Sequence, residues 1–171
     1  HNCLVGSEMC IRDRLDGEPY SHACAIARSL DEGALEVHQV GIRAYCRQEL
    51  DLINSDERIH TWFAKDVMSP CTGAKAWAEW LDSLTHIEGP VHLTIDIDGL
   101  DGALVPATGT PVPGGLSFWH VVQTIETVFA NCEVVSADVN EIVSQNDTPL
   151  TEFTAAMIAT KVAAAHIAGL R

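Results

Sequence analysis

The chain of 171 residues is 47% hydrophobic with a mean hydropathy of +0.09. That is enough to close one domain around a core, and no apolar run reaches the length that crosses a bilayer. A formal net charge of -14 argues against nucleic acid as a partner, because a phosphate backbone is bound through clustered Lys and Arg. The six cysteines, Cys3, Cys10, Cys24, Cys46, Cys71 and Cys132, form no C-x-x-C pair and no zinc spacing, so they are expected to be reduced thiols of a cytoplasmic protein.

Residues 1–14 show no clear period and differ in character from the rest of the chain. They are expected to be a separate segment, with a spurious start over 7–13, ahead of one unit over 15–171. After a Gly/Pro turn, Tyr20-Ser21-His22 leads into the helical pattern of Ala25, Ile26, Ser29 and Leu30. Residues 36–43 have the pattern of a short buried strand in which His38 is expected to be satisfied, with Arg43 beyond its end. Residues 48–56 are polar and helical, and 59–63 form the next strand, with His60 structural. Over 73–85, Ala74, Trp77, Ala78, Trp80, Leu81 and Leu84 make an apolar helical face, which places the tryptophans in the core. Gly89-Pro90 stops it. Strand, helix, strand in this order predicts right-handed parallel crossovers.

The central stretch is Val91-His92-Leu93-Thr94-Ile95-Asp96-Ile97-Asp98-Gly99-Leu100-Asp101, a β-rich apolar run ending in carboxylates. Positions i and i+2 of a strand share a face, so Asp96 and Asp98 are expected to project together at its carboxyl end, where open α/β sheets place their ligands. Two ionised carboxylates so close repel unless a cation lies between them, which points to a hard, oxygen-liganded metal such as manganese or magnesium. Asp before Gly at a strand end is also ordinary turn chemistry. The next loop is stiffened by Pro106, Pro111 and Pro113. Its Thr108 and Thr110 either offer hydroxyls to a small substrate or cap turns. Ser117 is the expected N-cap of a helix over 118–131, with His120 at the surface. A strand over 132–139 ends near Asp138 and Glu141. The last helix opens at Pro149 and is Ala-rich over 155–168, so it is expected to be packed on both sides, one of them against a neighbouring subunit.

I-D-I-D-G-L-D (95–101) succeeded by P-A-T-G-T-P-V-P-G-G-L (106–116), with D-G-E-P-Y-S-H-A-C (16–24) before them and A-D-V-N-E-I (137–142) after, closely resembles the ureohydrolase family of arginases and agmatinases. The resemblance runs over about 15–168. It implies a three-layer α/β/α fold with a mostly parallel sheet, and a hydrolase with two Mn2+ ions that cuts a guanidinium group to release urea. By this resemblance Asp96 and Asp98 hold metal, His22 moves a proton to the leaving amine and Glu141 pairs with the guanidinium; Thr108 of the loop is the candidate substrate contact, and Asp138 is expected to order the loop. The Tyr20-Ser21-His22-Ala23-Cys24 segment resembles the agmatinase version, which implies agmatine as substrate and putrescine, a product of polyamine metabolism, with urea. Arginase or another guanidino-acid or guanidino-amine ureohydrolase is the alternative. The family's D-A-H-x-D segment belongs near residues 6–10, where Gly6-Ser7-Glu8-Met9-Cys10 stands. The metal set is therefore expected to be incomplete, and the chain to be the carboxyl-terminal part of a ureohydrolase domain, inactive alone. The intact enzyme is expected to be a homo-oligomer without membrane association. The rival reading is a truncated or noncatalytic chain.

Overall fold

The computed structural model describes residues 2–6, 15–144 and 148–169. Within them the chain alternates strand and helix: β1 Asn2–Val5, α1 Ala25–Asp31, β2 Val37–Ile42, α2 Arg47–Ser55, β3 Ile59–Phe63, α3 Ala64–Val67, α4 Gly73–Leu84, β4 Pro90–Asp96, α5 Phe118–Asn131, β5 Glu133–Asn140 and α6 Leu150–Gly169. The five strands form one sheet in the order β3-β2-β1-β4-β5, every pairing parallel. Helices lie on both faces, the expected three-layer α/β/α arrangement.

The absence of a period in the first fourteen residues conceals the central strand. β1 sits between β2 and β4, with Val5 beside Val40 on one side and Ile95 on the other. A strand in the interior of a parallel sheet need not alternate, and four residues are too few to show a period. Residues 7–14 lie outside the described residues.

The two faces carry separate cores. On one, Leu93 and Ile95 of β4 pack with Trp80 and Leu84 of α4, Val121, Ile125 and Val128 of α5, and Ile158 of α6. On the other, Ile26 and Leu30 of α1 meet Val37, Ile42 and Ile59, with Leu52 and Ile53 of α2 against them. The tryptophans join α4 to α5 through both parts of the indole: buried Trp80 donates its Nε1–H to Thr124 Oγ1 at 3.0 Å, and Trp77 donates to Gln123 Oε1 at 2.8 Å. α1 and α2 cover β2 and β3 only. Over β4 and β5 the same face carries a polar ladder, in which His92 lies 2.7 Å from Ser136 Oγ and 3.2 Å from Asp138 Oδ2, and Asn140 Nδ2 donates to Thr94 Oγ1 at 3.2 Å.

One expectation about the helices changes. His120 is half-buried rather than at the surface. Its ring packs on Trp77 at 4.4 Å, and it completes a capping box with Ser117, whose Oγ accepts the His120 backbone N–H. Within this chain α6 buries Thr151, Ala155 and Ile158 and exposes Phe153, Met157 and Ile167, the face on which a neighbouring subunit is expected.

Candidate active site

The strand order reverses direction between β1 and β4. In an open parallel sheet that reversal opens a crevice outside the carboxyl ends of the strands. Here the crevice is bounded by Gly6 after β1 and by residues 96–99 after β4. The two segments approach so closely that a Cβ on Gly99 would stand 2.9 Å from the Gly6 backbone nitrogen. A side chain at 99 would push them apart.

β4 ends at Asp96, and Ile97–Gly99 form a 3-10 turn. The strand alternation expected to align Asp96 with Asp98 therefore stops one residue too early. The turn, not the pleat, orients Asp98. Both carboxylates are nonetheless buried at the same strand end, at 9% and 4% exposure. Thr110 donates its hydroxyl to Asp98 Oδ2 at 2.9 Å, so this threonine positions a candidate site carboxylate.

Arg43, left undecided by the sequence, holds the floor of the site. Its guanidinium donates to the carbonyls of Gly41, Gly99, Asp98, Leu100 and Val112, at 3.1, 3.3, 2.8, 2.9 and 2.7 Å. Burial holds its pKa below the ordinary value, with the carboxylates of Asp98 and Asp101 opposing that only in part. The socket exists because position 115 is glycine: a Cβ there would lie 2.5 Å from the Leu100 carbonyl and 2.7 Å from the guanidinium. Asp101 holds the other end of the loop, accepting the backbone N–H of Ala103 at 2.9 Å and of Gly114 at 2.7 Å. Those N–H groups, Ala103 first, hold its carboxyl below the usual range.

Glu141 comes directly after β5, with φ at +62°. A non-glycine residue there is strained, and such strain gathers at functional sites. Its carboxylate lies against the loop, with Oε2 3.7 Å from where a Cβ on Gly109 would be. The Val143 N–H donates to the Ala107 carbonyl at 3.0 Å, holding this segment to the loop. Between them, the Thr108 Oγ1 is buried without a hydrogen-bond partner among the described residues, a donor group left open to a ligand. Asp98, Thr110, Thr108 and Glu141 are thus joined through one loop. Asp138 faces the polar ladder instead, accepting Asn140 Nδ2 at 2.7 Å. His22 is exposed, in the short turn His22–Cys24, where its Nδ1 lies 3.5 Å from Ser21 Oγ; among the described residues no hydrogen bond ties it to the loop. Cys24 beside it is buried.

Two buried carboxylates are the right kind of donor for a hard divalent cation. They supply only part of a coordination shell: among the described residues no third His, Cys, Asp or Glu joins them in a metal-competent group. The segment after β1, where the resemblance puts further ligands, lies outside the described residues.

A parallel sheet with carboxylates at its switch point and a glutamate over a rigid Gly/Pro loop defines the class: an open α/β protein with its ligand crevice at the carboxyl ends of the strands. Similarity to known proteins narrows it. The sequence profile of the arginase family matches residues 11–165. An N(1)-aminopropylagmatine ureohydrolase of Thermococcus kodakarensis is 33% identical over 91% of this chain and 50% of its own length. An agmatinase of Pyrococcus horikoshii is 32% identical over 91% of this chain and 51% of its own. The crystal structure of agmatine ureohydrolase of Thermoplasma volcanium superposes with a TM-score of 0.79 at 25% identity, over 97% of this chain and 54% of that one. This chain belongs to the arginase family, and it spans about half the length of the curated relatives it matches.

Proposed function

We propose that this chain is the carboxyl-terminal part of a manganese-dependent ureohydrolase that converts agmatine to putrescine and urea. The observation that carries the reading is the convergence of Asp98, Thr110 and Glu141 through one loop at the switch point. Asp96 and Asp98 would hold the metal, together with ligands from outside the described residues. A metal bound there supplies Lewis acidity and makes water a nucleophile at neutral pH. The chain's own groups do the rest. The Thr110 hydroxyl fixes one oxygen of Asp98 and so sets where its other oxygen points. Glu141 presents a planar acceptor to the planar guanidinium, a match that fixes its orientation as well as its charge. Thr108 gives the substrate the hydrogen bond that no described residue takes. His22, at the surface of its turn, gives a proton to the departing amine. The Arg43 clamp keeps the loop from shifting as the guanidinium binds.

A second reading, an agmatine extended by an aminopropyl group, is favoured by the name of the Thermococcus relative. Urea release from agmatine, its N-aminopropyl derivative and arginine, measured with added manganese on a protein that contains this chain with the missing half, separates the readings by kcat/KM. Agmatine ranks first under the proposal, with Glu141→Gln lowering kcat/KM at least about 100-fold on every substrate. A ranking led by the aminopropyl compound selects the second reading, and urea from none of them rejects both.

A further inference from the structure

Metal-ligating side chains also meet elsewhere in the sheet. Glu36, His38 and His60 bring a carboxylate oxygen and two imidazole nitrogens within 4.8 Å of one another. Backbone geometry produces this meeting. Glu36 and His38 are two residues apart in extended chain, so they share a face. His38 and His60 are direct neighbours in the parallel register of β2 and β3, and their rings stack at 4.7 Å and 30°. The Glu36 Oε2 lies 3.1 Å from His38 Nε2. Two ligands on a tetrahedral zinc, with bonds of about 2.0–2.1 Å, stand roughly 3.3 Å apart, so this pair is already at ligand-to-ligand spacing. The other ring nitrogen, His38 Nδ1, is buried without a hydrogen-bond partner among the described residues, so the strand histidine is satisfied at one nitrogen only. Trp62 walls the inner side, its ring 6.5 Å from that of His38. Glu36 and His60 are half-buried, and β3 is the edge strand, so the outer side opens to solvent.

We propose that Glu36, His38 and His60 form a binding site for a borderline divalent cation, zinc foremost, with three protein ligands and one open position. The donor set is two imidazoles and a carboxylate, unlike the hard carboxylate pair at Asp96 and Asp98. The two places are also apart in space. His38 is level with Cys3 of β1 and so with Leu93 of β4. Three residues along and two strands across put it ~14 Å from Asp96, by the usual strand spacings. They lie on opposite faces as well, since Asp96 shares the face of His92 and Thr94. A cation held by Glu36, His38 and His60 ties the edge strand to β2.

The test is a calorimetric titration of zinc alone into the chelator-stripped 171-residue chain, with X-ray absorption at the zinc edge. One zinc per chain is expected, with two imidazole scatterers at about 2.0–2.1 Å. Uptake should persist in Asp96→Asn/Asp98→Asn and weaken at least about 10-fold in both His60→Asn and Glu36→Gln, with magnesium giving none. No uptake by the folded chain, uptake unchanged in both ligand variants, loss of uptake in the aspartate pair variant, or a spectrum without imidazole overturns the site. The spectrum of the unsubstituted chain decides the matter even if a variant fails to fold.

Discussion

Arg43 ties together five carbonyls at the candidate site, and no spacing in the sequence announces it. Its partners are main-chain groups, most of them 55 to 69 residues away in the chain, so they carry no residue identity to be recognised. Only Gly115 hints at it, as a position where a side chain would fill the socket. Lysine has neither the fork nor the reach to serve five carbonyls. Arg43→Lys should therefore cost roughly 2 kcal/mol, and Arg43→Met roughly 3–5 kcal/mol, since several charge-assisted bonds are lost at once. Urea denaturation midpoints measure both, and equal midpoints for all three proteins would remove Arg43 from its role. Glu141 poses the opposite case. Its identity stands out through the A-D-V-N-E-I pattern, but its φ of +62° does not. Glu141→Gly relieves that strain and should stabilise the chain by about 1 kcal/mol, whereas Glu141→Gln should leave stability unchanged. A glycine variant no more stable than the glutamine one would mean the backbone is not strained.

Elements with a strong period or a cap are legible in the sequence. The helix over 118–131 begins after Ser117 and ends at Asn131 as its pattern indicates, because the N-cap and the apolar face are both local signals. The strand into Asp96 and the strand into Asn140 are legible for the same reason. The features that escape are set by tertiary neighbours. β1 is too short to show a period, and His120 is drawn inward by Trp77. This last displacement has a pH consequence. Burial lowers the pKa of both His38 on β2 and His120 on α5 from the ordinary 6.5. Below that value the unfolded chain takes up protons that the folded chain refuses, so stability rises with pH through the window. The stabilisation is complete above 6.5 and is lost as pH falls toward the lower folded values. Asp101 enters only below its ordinary 3.8. Denaturation midpoints in chelator should therefore be lower at about pH 5.5 than at about pH 7.5, and His120→Asn should flatten part of the slope. A midpoint independent of pH over that range would contradict it.

Taken whole, the sheet is built around a reversal of strand order that leaves β5 at one edge. A groove of about 780 Å³ runs between β5 and α6, lined by Val134, Val139, Ala155, Ala159 and Val162. On that edge Val135 is exposed, an arrangement that natural sheets usually cover or charge. A chain that spans about half the length of its curated relatives fits the proposal that the activity belongs to a larger protein. The direct measurement is urea released from agmatine, with manganese, by the 171-residue chain and by residues 15–169 joined to the amino-terminal half of the Thermococcus relative. None is expected from the chain alone, and urea is expected from the joined protein, reduced at least about 100-fold by Asp98→Ala. Urea from the joined protein undiminished by Asp98→Ala would contradict the assignment of the metal to Asp96 and Asp98, and urea from the chain alone would show that its own residues complete the site.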